Sequence, residues 1–225
     1  MPSPMIRGGA VVALLLCAGV APVAAQFELF NTGWGAGTVL PDGSVDTDWT
    51  WSGSSGSGNA FVLSPGSRAD FAWMANSSTS KWVYTEDTVN PVAGTFDFST
   101  TFDLTGYDLA TVFIEGQWTV DNTAHAIFVN GTSVGFGGFS GEWTVWHEFL
   151  LNAANSPFVA GVNTVTFRTQ GDGRTDALRV EFTDYGALPT STVPEPMSVM
   201  LLAAGLAGVG VAARRRRRTT IEAEV

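Results

Sequence analysis

The sequence predicts an all-β fold, a jelly-roll or β-sandwich domain, flanked by an N-terminal signal peptide and a C-terminal transmembrane helix. Several short segments alternate apolar and polar residues with the period of two that is typical of strands. Glycine is abundant, at 26 of 225 residues, and lysine occurs only once. Such a composition favours strands and turns over helices. With 45% hydrophobic residues, the chain can bury one core of ordinary size besides its targeting segments.

The first element is a signal peptide, predicted over residues 1–25. Arg7 supplies a short positive region, and residues 10–20 form an apolar run that is too short to span a bilayer. Small residues then precede the position at which signal peptidase cuts. Cleavage is therefore expected between Ala25 and Gln26.

The only cysteine of the chain, Cys17, lies inside this leader. The mature domain is therefore predicted to have neither a thiol nor a disulfide, although disulfides are common in exported proteins. A lipoprotein with its lipid on Cys17 is the alternative. Leu16, however, is bulkier than the residue that lipoprotein processing needs at that position.

The second element is the mature body, predicted over residues 26–184. Residues 95–104 alternate cleanly, because Phe96, Phe98, Phe102 and Leu104 share one face and the polar residues share the other. Similar alternation marks two further strands, and shorter candidates complete a set of about eight: 163–168, 177–183, 60–63, 81–84, 111–114, 126–129 and 143–150. Turn residues separate these strands, as at Asn130-Gly131 and Asp172-Gly173. About eight strands with polar outer faces predict a sandwich of two sheets, followed by a flexible linker at 185–192.

The body is strongly acidic, more so than the chain's formal net charge of −10 suggests. Six of the eleven basic residues lie in the two terminal segments, which leaves five basic residues in the body against 18 acidic ones. A surface of this sign repels phosphate, so no nucleic-acid partner is expected. It is better suited to cations or neutral sugars.

The last element is a three-part C-terminal segment, predicted over residues 193–218. It begins with Pro194, Glu195 and Pro196, and continues with seventeen uncharged residues at 197–213. As a helix this stretch would be about 25 Å long, close to the roughly 30 Å of a bilayer core. It ends with five consecutive arginines: Arg214, Arg215, Arg216, Arg217 and Arg218. Because arginines resist translocation, we expect them and the tail at 219–225 to stay cytoplasmic.

This order of parts resembles the PEP-CTERM sorting signal. The resemblance implies recognition by an exosortase-like membrane protease that cuts near Pro194-Glu195-Pro196. The protein would then be anchored in the inner membrane only transiently, before it reaches the cell surface or the extracellular matrix of bacteria that make exopolysaccharide. A plain single-span anchor is the alternative. The family usually ends soon after the arginines, whereas this chain continues for seven residues.

A second resemblance concerns the body. Residues 102–109, 116–122, 127–131 and 158–165 resemble the galactose-binding-like jelly-roll domain of sugar-recognition modules. The resemblance implies a jelly roll and a glycan partner, such as exopolysaccharide or a surface glycan. It implies little about the individual ligand, since jelly rolls serve many functions.

The chain lacks the parts of most catalytic sites. Its only histidines are His125 and His147, no cysteine remains after export, and no G-x-S-x-G elbow occurs. The function predicted is therefore that of an exported, noncatalytic surface or matrix protein. One alternative is a secreted glycan-active hydrolase, because glycoside hydrolysis needs only two carboxylates. Another is a structural adhesin that self-associates.

Two groups of residues are candidates for glycan binding. Sugar sites stack an aromatic ring on a pyranose and fix its hydroxyls with polar side chains. Trp73 with Asn76 is one such pair, and Trp118 with Asp121 and Asn122 is the other. Packing in the core is the alternative role of each tryptophan.

One further group predicts a structural calcium ion. Asp42, Asp46 and Asp48 place three carboxylates within seven residues, as calcium loops do. The resemblance to the jelly-roll domain implies a calcium ion near the chain ends with an acid from the last strand, and Glu181 fits that acid. An acidic turn is the alternative.

Overall fold

The structure, a computed structural model, describes residues 23–63, 73–85, 93–173, 177–190 and Gly205. The chain divides into two compact units, Met1–Leu188 and Pro189–Val225. Most of the predicted signal peptide and, apart from Gly205, the predicted sorting segment 193–218 lie outside the described residues. Gly205 itself has helical backbone. No helix among the described residues is long and apolar enough to cross a membrane, so the helix at 197–213 stays a prediction.

Strands account for nearly all regular structure in the described part of the first unit, with one 3-10 turn at Leu109–Thr111. There are thirteen: β1 (Trp34–Gly35), β2 (Thr38–Val39), β3 (Val45–Gly53), β4 (Gly56–Val62), β5 (Val83–Tyr84), β6 (Gly94–Asp103), β7 (Phe113–Asp121), β8 (Thr123–Val129), β9 (Thr132–Gly135), β10 (Phe139–Ser140), β11 (His147–Asn152), β12 (Val162–Gly171) and β13 (Ala177–Gly186).

The strands pair antiparallel throughout. β1 and β2 form a small ribbon, and the others form one continuous path in the order β10-β8-β12-β6-β3-β4-β5-β13-β7-β11, with β9 beside β8. This path folds into two layers, because side chains from its two halves meet in the middle. The centroid of the Phe167 ring on β12 lies 5.2 Å from the ring centroid of Trp118 on β7 and 5.6 Å from that of Phe149 on β11. The predicted all-β fold with two packed layers is confirmed.

The core follows the alternation seen in the sequence. On β6 and just beyond it, Phe96, Phe98, Phe102 and Leu104 are buried, while Thr101 and Asp103 are exposed. β12 and β13 bury alternate apolar residues in the same way. Each large apolar side chain removed from water contributes about 1.5–3 kcal/mol, so these rows hold the two layers together.

Other strands differ from the sequence prediction. β3 was not predicted, because its buried residues Asp46 and Trp49 are three apart and do not show a period of two. The cause is an irregularity in the pairing with β4 between Asp46 and Thr50, which inserts extra residues on β3. β7 is much longer than the predicted 111–114.

The domain also extends beyond its predicted end. β13 continues through Gly186. Ala187 then pairs with Ala25, with N–O distances of 2.9 and 3.1 Å in the two directions. The predicted linker 185–192 therefore begins later than expected, and Ala25, the residue before the expected cleavage position, forms an isolated bridge with Ala187.

Candidate functional site

Trp118, predicted to stack on a sugar, lies in the core. Its side chain is fully buried, and its Nε1–H donates to the carbonyl oxygen of Phe136 at 3.1 Å. Its ring contacts those of Phe139 and Phe167. Because no face of the ring reaches solvent, its role is core packing.

The structure brings two other candidates, Trp73 and Asp121, into contact. Trp73 Nε1–H donates to Asp121 Oδ2 at 2.9 Å. The ring of Trp73 packs on that of Trp82, with their centroids 4.6 Å apart. Asn76 Oδ1 accepts from the backbone N–H of Trp82 at 2.9 Å. Asn122 is half-buried in the short connection from β7 to β8. The polar groups of Trp73 and Asn76 thus hold the segment before β5 against the sheet.

Glu181, the predicted calcium ligand on the last strand, belongs instead to a hydrogen-bonded network. Its carboxylate accepts from Ser80 Oγ at 2.7 Å, Thr79 Oγ1 at 2.9 Å and Gln117 Nε2 at 3.0 Å. Arg179 Nη2 lies 3.1 Å from Glu181 Oε1 and forms an ion pair with it. Burial raises the pKa of Glu181, but these hydrogen bonds and the Arg179 charge outweigh burial and lower it.

The other three predicted ligands do not converge on one point. Asp42 lies 2.7 Å from Lys81 Nζ. Asp46 is fully buried and accepts from backbone N–H groups, while Asp48 is half-exposed. Nowhere in the described ranges do three His, Cys, Asp or Glu side chains form a group that could hold a metal ion. Among the described residues these four carboxylates therefore do not form one group, and the structural calcium ion stays a prediction.

A different surface has the form of a binding site. Residues 26–31 have no regular secondary structure, and they bury Phe27 and Leu29 and leave Glu28 exposed. Two open clefts adjoin this segment and share the half-buried ring of Phe30 as a common wall. We call them the larger cleft and the smaller cleft, and together the twin cleft.

The larger cleft has a volume of about 610 Å³ and a mixed polar and apolar lining. Hydroxyl groups of β3 and β6 and the ring of Tyr107 contribute to its lining, and three carboxylates complete it: Glu28, Asp48 and Asp103. Burial, and next the negative charge of Glu28, raise the pKa of Asp48. Hydrogen bonds from the side chain and backbone of Thr105 lower the pKa of Asp103.

The smaller cleft, of about 240 Å³, is mostly aromatic. Trp34, Tyr185 and Phe30 line it together with Asn31 and Thr79. Tyr185 Oη donates to the carbonyl oxygen of Leu29 at 3.2 Å, which fixes the ring, and burial raises the pKa of Tyr185.

The twin cleft combines partly exposed rings with hydroxyl, amide and carboxylate oxygens. Rings can cover the apolar face of a pyranose while the oxygens bind its hydroxyls. The sequence prediction did not include Phe30, Trp34, Tyr107 or Tyr185. Trp34 is one of eight tryptophans, but nothing in the sequence places residues 26–34 beside residues 99–107 and 185.

Comparison with known proteins identifies the C-terminal segment. Residues 192–218 match the PEP-CTERM protein-sorting motif, which confirms the predicted sorting signal and marks an exported protein. A solved structure of TmCBM61 in complex with beta-1,4-galactotriose is 17% identical, with a TM-score of 0.36. The match covers 64% of this chain and 90% of that one. No curated protein matches the chain.

Proposed function

We propose that this chain is a noncatalytic protein of the bacterial cell surface or extracellular matrix, which an exosortase-type protease sorts and which binds a neutral glycan in the twin cleft. The PEP-CTERM motif at residues 192–218 is the observation that carries the proposal. It supports a destination outside the cytoplasm.

Sorting would proceed in two cuts. Signal peptidase removes residues 1–25, and the chain remains held by the apolar segment 197–213 while its arginines stay cytoplasmic. The exosortase-like protease then cuts near Pro194-Glu195-Pro196 and releases the domain.

Mass spectrometry of the endogenous protein tests this sequence of events. We expect a mature chain that begins at Gln26 and ends near Pro194. Replacement of Arg214–Arg218 by glutamine should leave the C-terminus uncut, because nothing then fixes the segment in the membrane. An intact C-terminus in the wild type, or equal processing of both chains, would refute the sorting proposal.

Glycan binding is supported by the chemistry of the twin cleft. Phe30, Trp34 and Tyr185 offer ring surface in the smaller cleft, and Thr50 and Ser99 contribute hydroxyl groups to the larger one. An oligosaccharide lying across Phe30 would use both kinds of contact.

The charge of the site favours a neutral ligand over an acidic one. None of the residues lining the two clefts is Lys, Arg or His, while three are Glu or Asp. The described cations of the body are bound elsewhere: Lys81 by Asp42, Arg168 by Asp97 and Arg179 by Glu181. A uronic-acid polymer would meet uncompensated negative charge.

A glycan array with the full-length chain tests the binding. For the best neutral glycan, Trp34→Ala should weaken affinity by about thirtyfold, as expected when a tryptophan anchor worth about 2 kcal/mol is removed. Trp51→Ala is the matched control, since Trp51 is also half-exposed but packs on Phe96 and lines neither cleft. The proposal fails when no glycan is retained, or when both variants bind like the wild type.

A glycan hydrolase is the second candidate, and one observation favours it. Asp48 and Asp103 line the same cleft, and their pKa values are shifted in opposite directions, which is the arrangement of a general acid and a base. Binding is preferred, because Asp103 Oδ1 already accepts from the N–H and Oγ1 of Thr105, at 2.8 and 2.7 Å. Release of reducing sugar from exopolysaccharide, abolished in Asp48→Asn, would reverse this preference.

A further inference from the structure

We propose that the mature N-terminus forms part of the larger cleft, and that Gln26 closes there into an uncharged pyroglutamate ring. Gln26 is exposed and lines that cleft. The inference rests on the first cut of the proposed function, which separates Ala25 from Gln26. It adds the chemical form of one residue in the cleft and a reason for the preference for neutral glycans.

Removal of the leader breaks the backbone bridge between Ala25 and Ala187. The two residues exchange hydrogen bonds at 2.9 and 3.1 Å. Leu188, the next residue, is held independently of that bridge. Its carbonyl oxygen accepts from the N–H of Asp108 and its own N–H donates to Thr111 Oγ1, both at 2.8 Å. The end of the last strand therefore stays attached to the domain when the leader leaves.

The new terminus is also held in place, from Gln26 onward. The carbonyl oxygen of Gln26 accepts from Tyr107 Oη at 3.0 Å. Phe27, the next residue, is buried. Its ring packs on three others, with centroid distances of 5.3 Å to Phe102, 5.9 Å to Tyr107 and 5.4 Å to Tyr185. The amine that the cut creates on Gln26 therefore stays at the larger cleft.

A free amine at this place would change the charge of the cleft. An N-terminal amine is mostly protonated at neutral pH. It would therefore add a positive charge to a cleft that is also lined by Glu28, Asp48 and Asp103. An acidic glycan would then find a cation to bind, which the side chains lining the cleft do not supply.

The side chain of Gln26 carries the group that removes this charge. The unprotonated amine nitrogen attacks the side-chain carbon Cδ, so that the N–Cδ bond forms and the Cδ–Nε2 bond breaks. Ammonia leaves with the proton that the amine gives up, and no oxidant or further reactant is needed. The lactam ring contains only atoms of Gln26, so the hydrogen bond from Tyr107 and the packing of Phe27 are kept.

The surroundings of the terminus allow this closure. Amine and amide belong to one residue, and intramolecular reactions of this kind have a high effective concentration. Among the described residues, no hydrogen bond holds the exposed Gln26 side chain in another direction. The carboxylates of the cleft favour the protonated amine and so slow the attack. They do not prevent it, because the ammonia diffuses away and the reaction does not reverse.

Mass spectrometry of the exported protein tests the closure. The full-length chain is expressed with its leader in an exporting bacterium, and the first tryptic peptide of the mature chain, 26–68, is sequenced. We expect this peptide to be lighter by one ammonia, with the loss located at Gln26. Gln26→Asn should keep a free amine, because its shorter side chain would have to close a smaller and strained ring. Gln170→Asn is the matched control and should close like the wild type, since Gln170 bonds with Thr95 and lines neither cleft.

Nuclear magnetic resonance of the same 15N-labelled proteins tests the place of the ring. Between the wild type and Gln26→Asn, the amide resonances should differ at residues that line the larger cleft, such as Glu28 and Asp48. Between the wild type and Gln170→Asn, those resonances should coincide.

Binding measurements then test the effect on selectivity. A uronic-acid oligosaccharide should bind Gln26→Asn about fivefold more tightly than the wild type, because the free amine supplies a cation. High salt should remove this gain. The best neutral glycan of the array should bind both chains equally.

The outcomes separate this inference from the proposed function. A mature chain that begins at another residue overturns the first cut and this inference with it, whereas a free amine on Gln26 overturns the ring alone. Resonances of the larger cleft that are equal in the wild type and Gln26→Asn overturn the place of the ring in the cleft. Equal binding of the uronic-acid oligosaccharide overturns its effect on selectivity. A closed ring in a protein that binds no glycan overturns the proposed binding, and the modification stands.

Discussion

The stability of the protein should depend on pH through Asp46, and Asp46→Asn isolates that dependence. Asp46, on β3, is fully buried and accepts a hydrogen bond from the backbone N–H of Gly33 at 2.7 Å. Burial raises its pKa from 3.8 to about 6. The folded state therefore binds a proton more tightly at this position than the unfolded chain does, and the substitution removes the titrating group without changing its size.

The size and sign of the effect follow from linkage. A shift of about 2 pKa units corresponds to about 3 kcal/mol at 1.36 kcal/mol per unit. Because the folded pKa is raised, this stabilisation is fully present below about pH 4 and is lost as pH rises through about 6. The wild type should therefore gain about 3 kcal/mol in unfolding free energy relative to Asp46→Asn between pH 7 and pH 4.

Urea denaturation followed by tryptophan fluorescence at pH 4, 5, 6 and 7 gives the two curves. Asp103→Asn is a useful contrast, because hydrogen bonds from Thr105 lower the pKa of Asp103. Because the folded pKa of Asp103 lies below 3.8, the stability that Asp103 contributes is kept from pH 7 to pH 4 and is lost only as pH falls further, the opposite direction. A difference between wild type and Asp46→Asn that stays constant from pH 4 to pH 7 would refute the reasoning.

Two further substitutions test the outer face of β13 and its packing against β7. Arg179→Ala should lower the unfolding free energy in urea by about 3–5 kcal/mol, because it leaves the half-buried Glu181 carboxylate without the positive charge of Arg179. Arg179→Ala with Glu181→Gln should recover part of that loss, and no recovery would contradict the pairing. Gly116→Ala should lower the melting temperature, since the added Cβ would lie 2.4 Å from Phe149 Cζ and 2.7 Å from the carbonyl oxygen of Glu181. Gly58→Ala, whose Cβ would meet only Trp51 at 3.5 Å, is the control, and equal melting of both variants would contradict the close packing.

The strands that were predicted are those whose pattern is local. β6 and β12 alternate without interruption, and each buries the face that the alternation indicates. β13 buries the predicted row Leu178, Val180 and Phe182, but it also buries Arg179 on its other face. β3 was missed because its extra residues break the period, so that the acidic segment before Trp49 has the composition of a turn. Burial of Asp46 in that strand depends on a bond from Gly33, thirteen residues earlier in the chain.

The candidate site was predictable only in its chemistry. Tryptophan and carboxylate residues were expected to bind glycan, but Trp118 is in the core and Trp73 is bonded to Asp121. Trp34 is the tryptophan that lines the smaller cleft. No neighbouring polar residue distinguishes it from the other tryptophans in the sequence. Whether an aromatic residue packs inside or faces a cleft depends on which strands lie opposite it.

The sorting signal and the strand-rich character of the body could be predicted from the order of residues along the chain. A protease and a bilayer meet the C-terminal segment as a linear peptide, and strand alternation has a period of two residues. The twin cleft could not be found in this way, because residues 26–34, 47–50, 99–107 and 185 meet only after the two sheets pack. Contacts between residues so distant in sequence are set by the pairing and packing of the strands. That packing left Trp34 half-buried in a cleft, buried Trp118, and placed Asp42 and Glu181 in two different ion pairs.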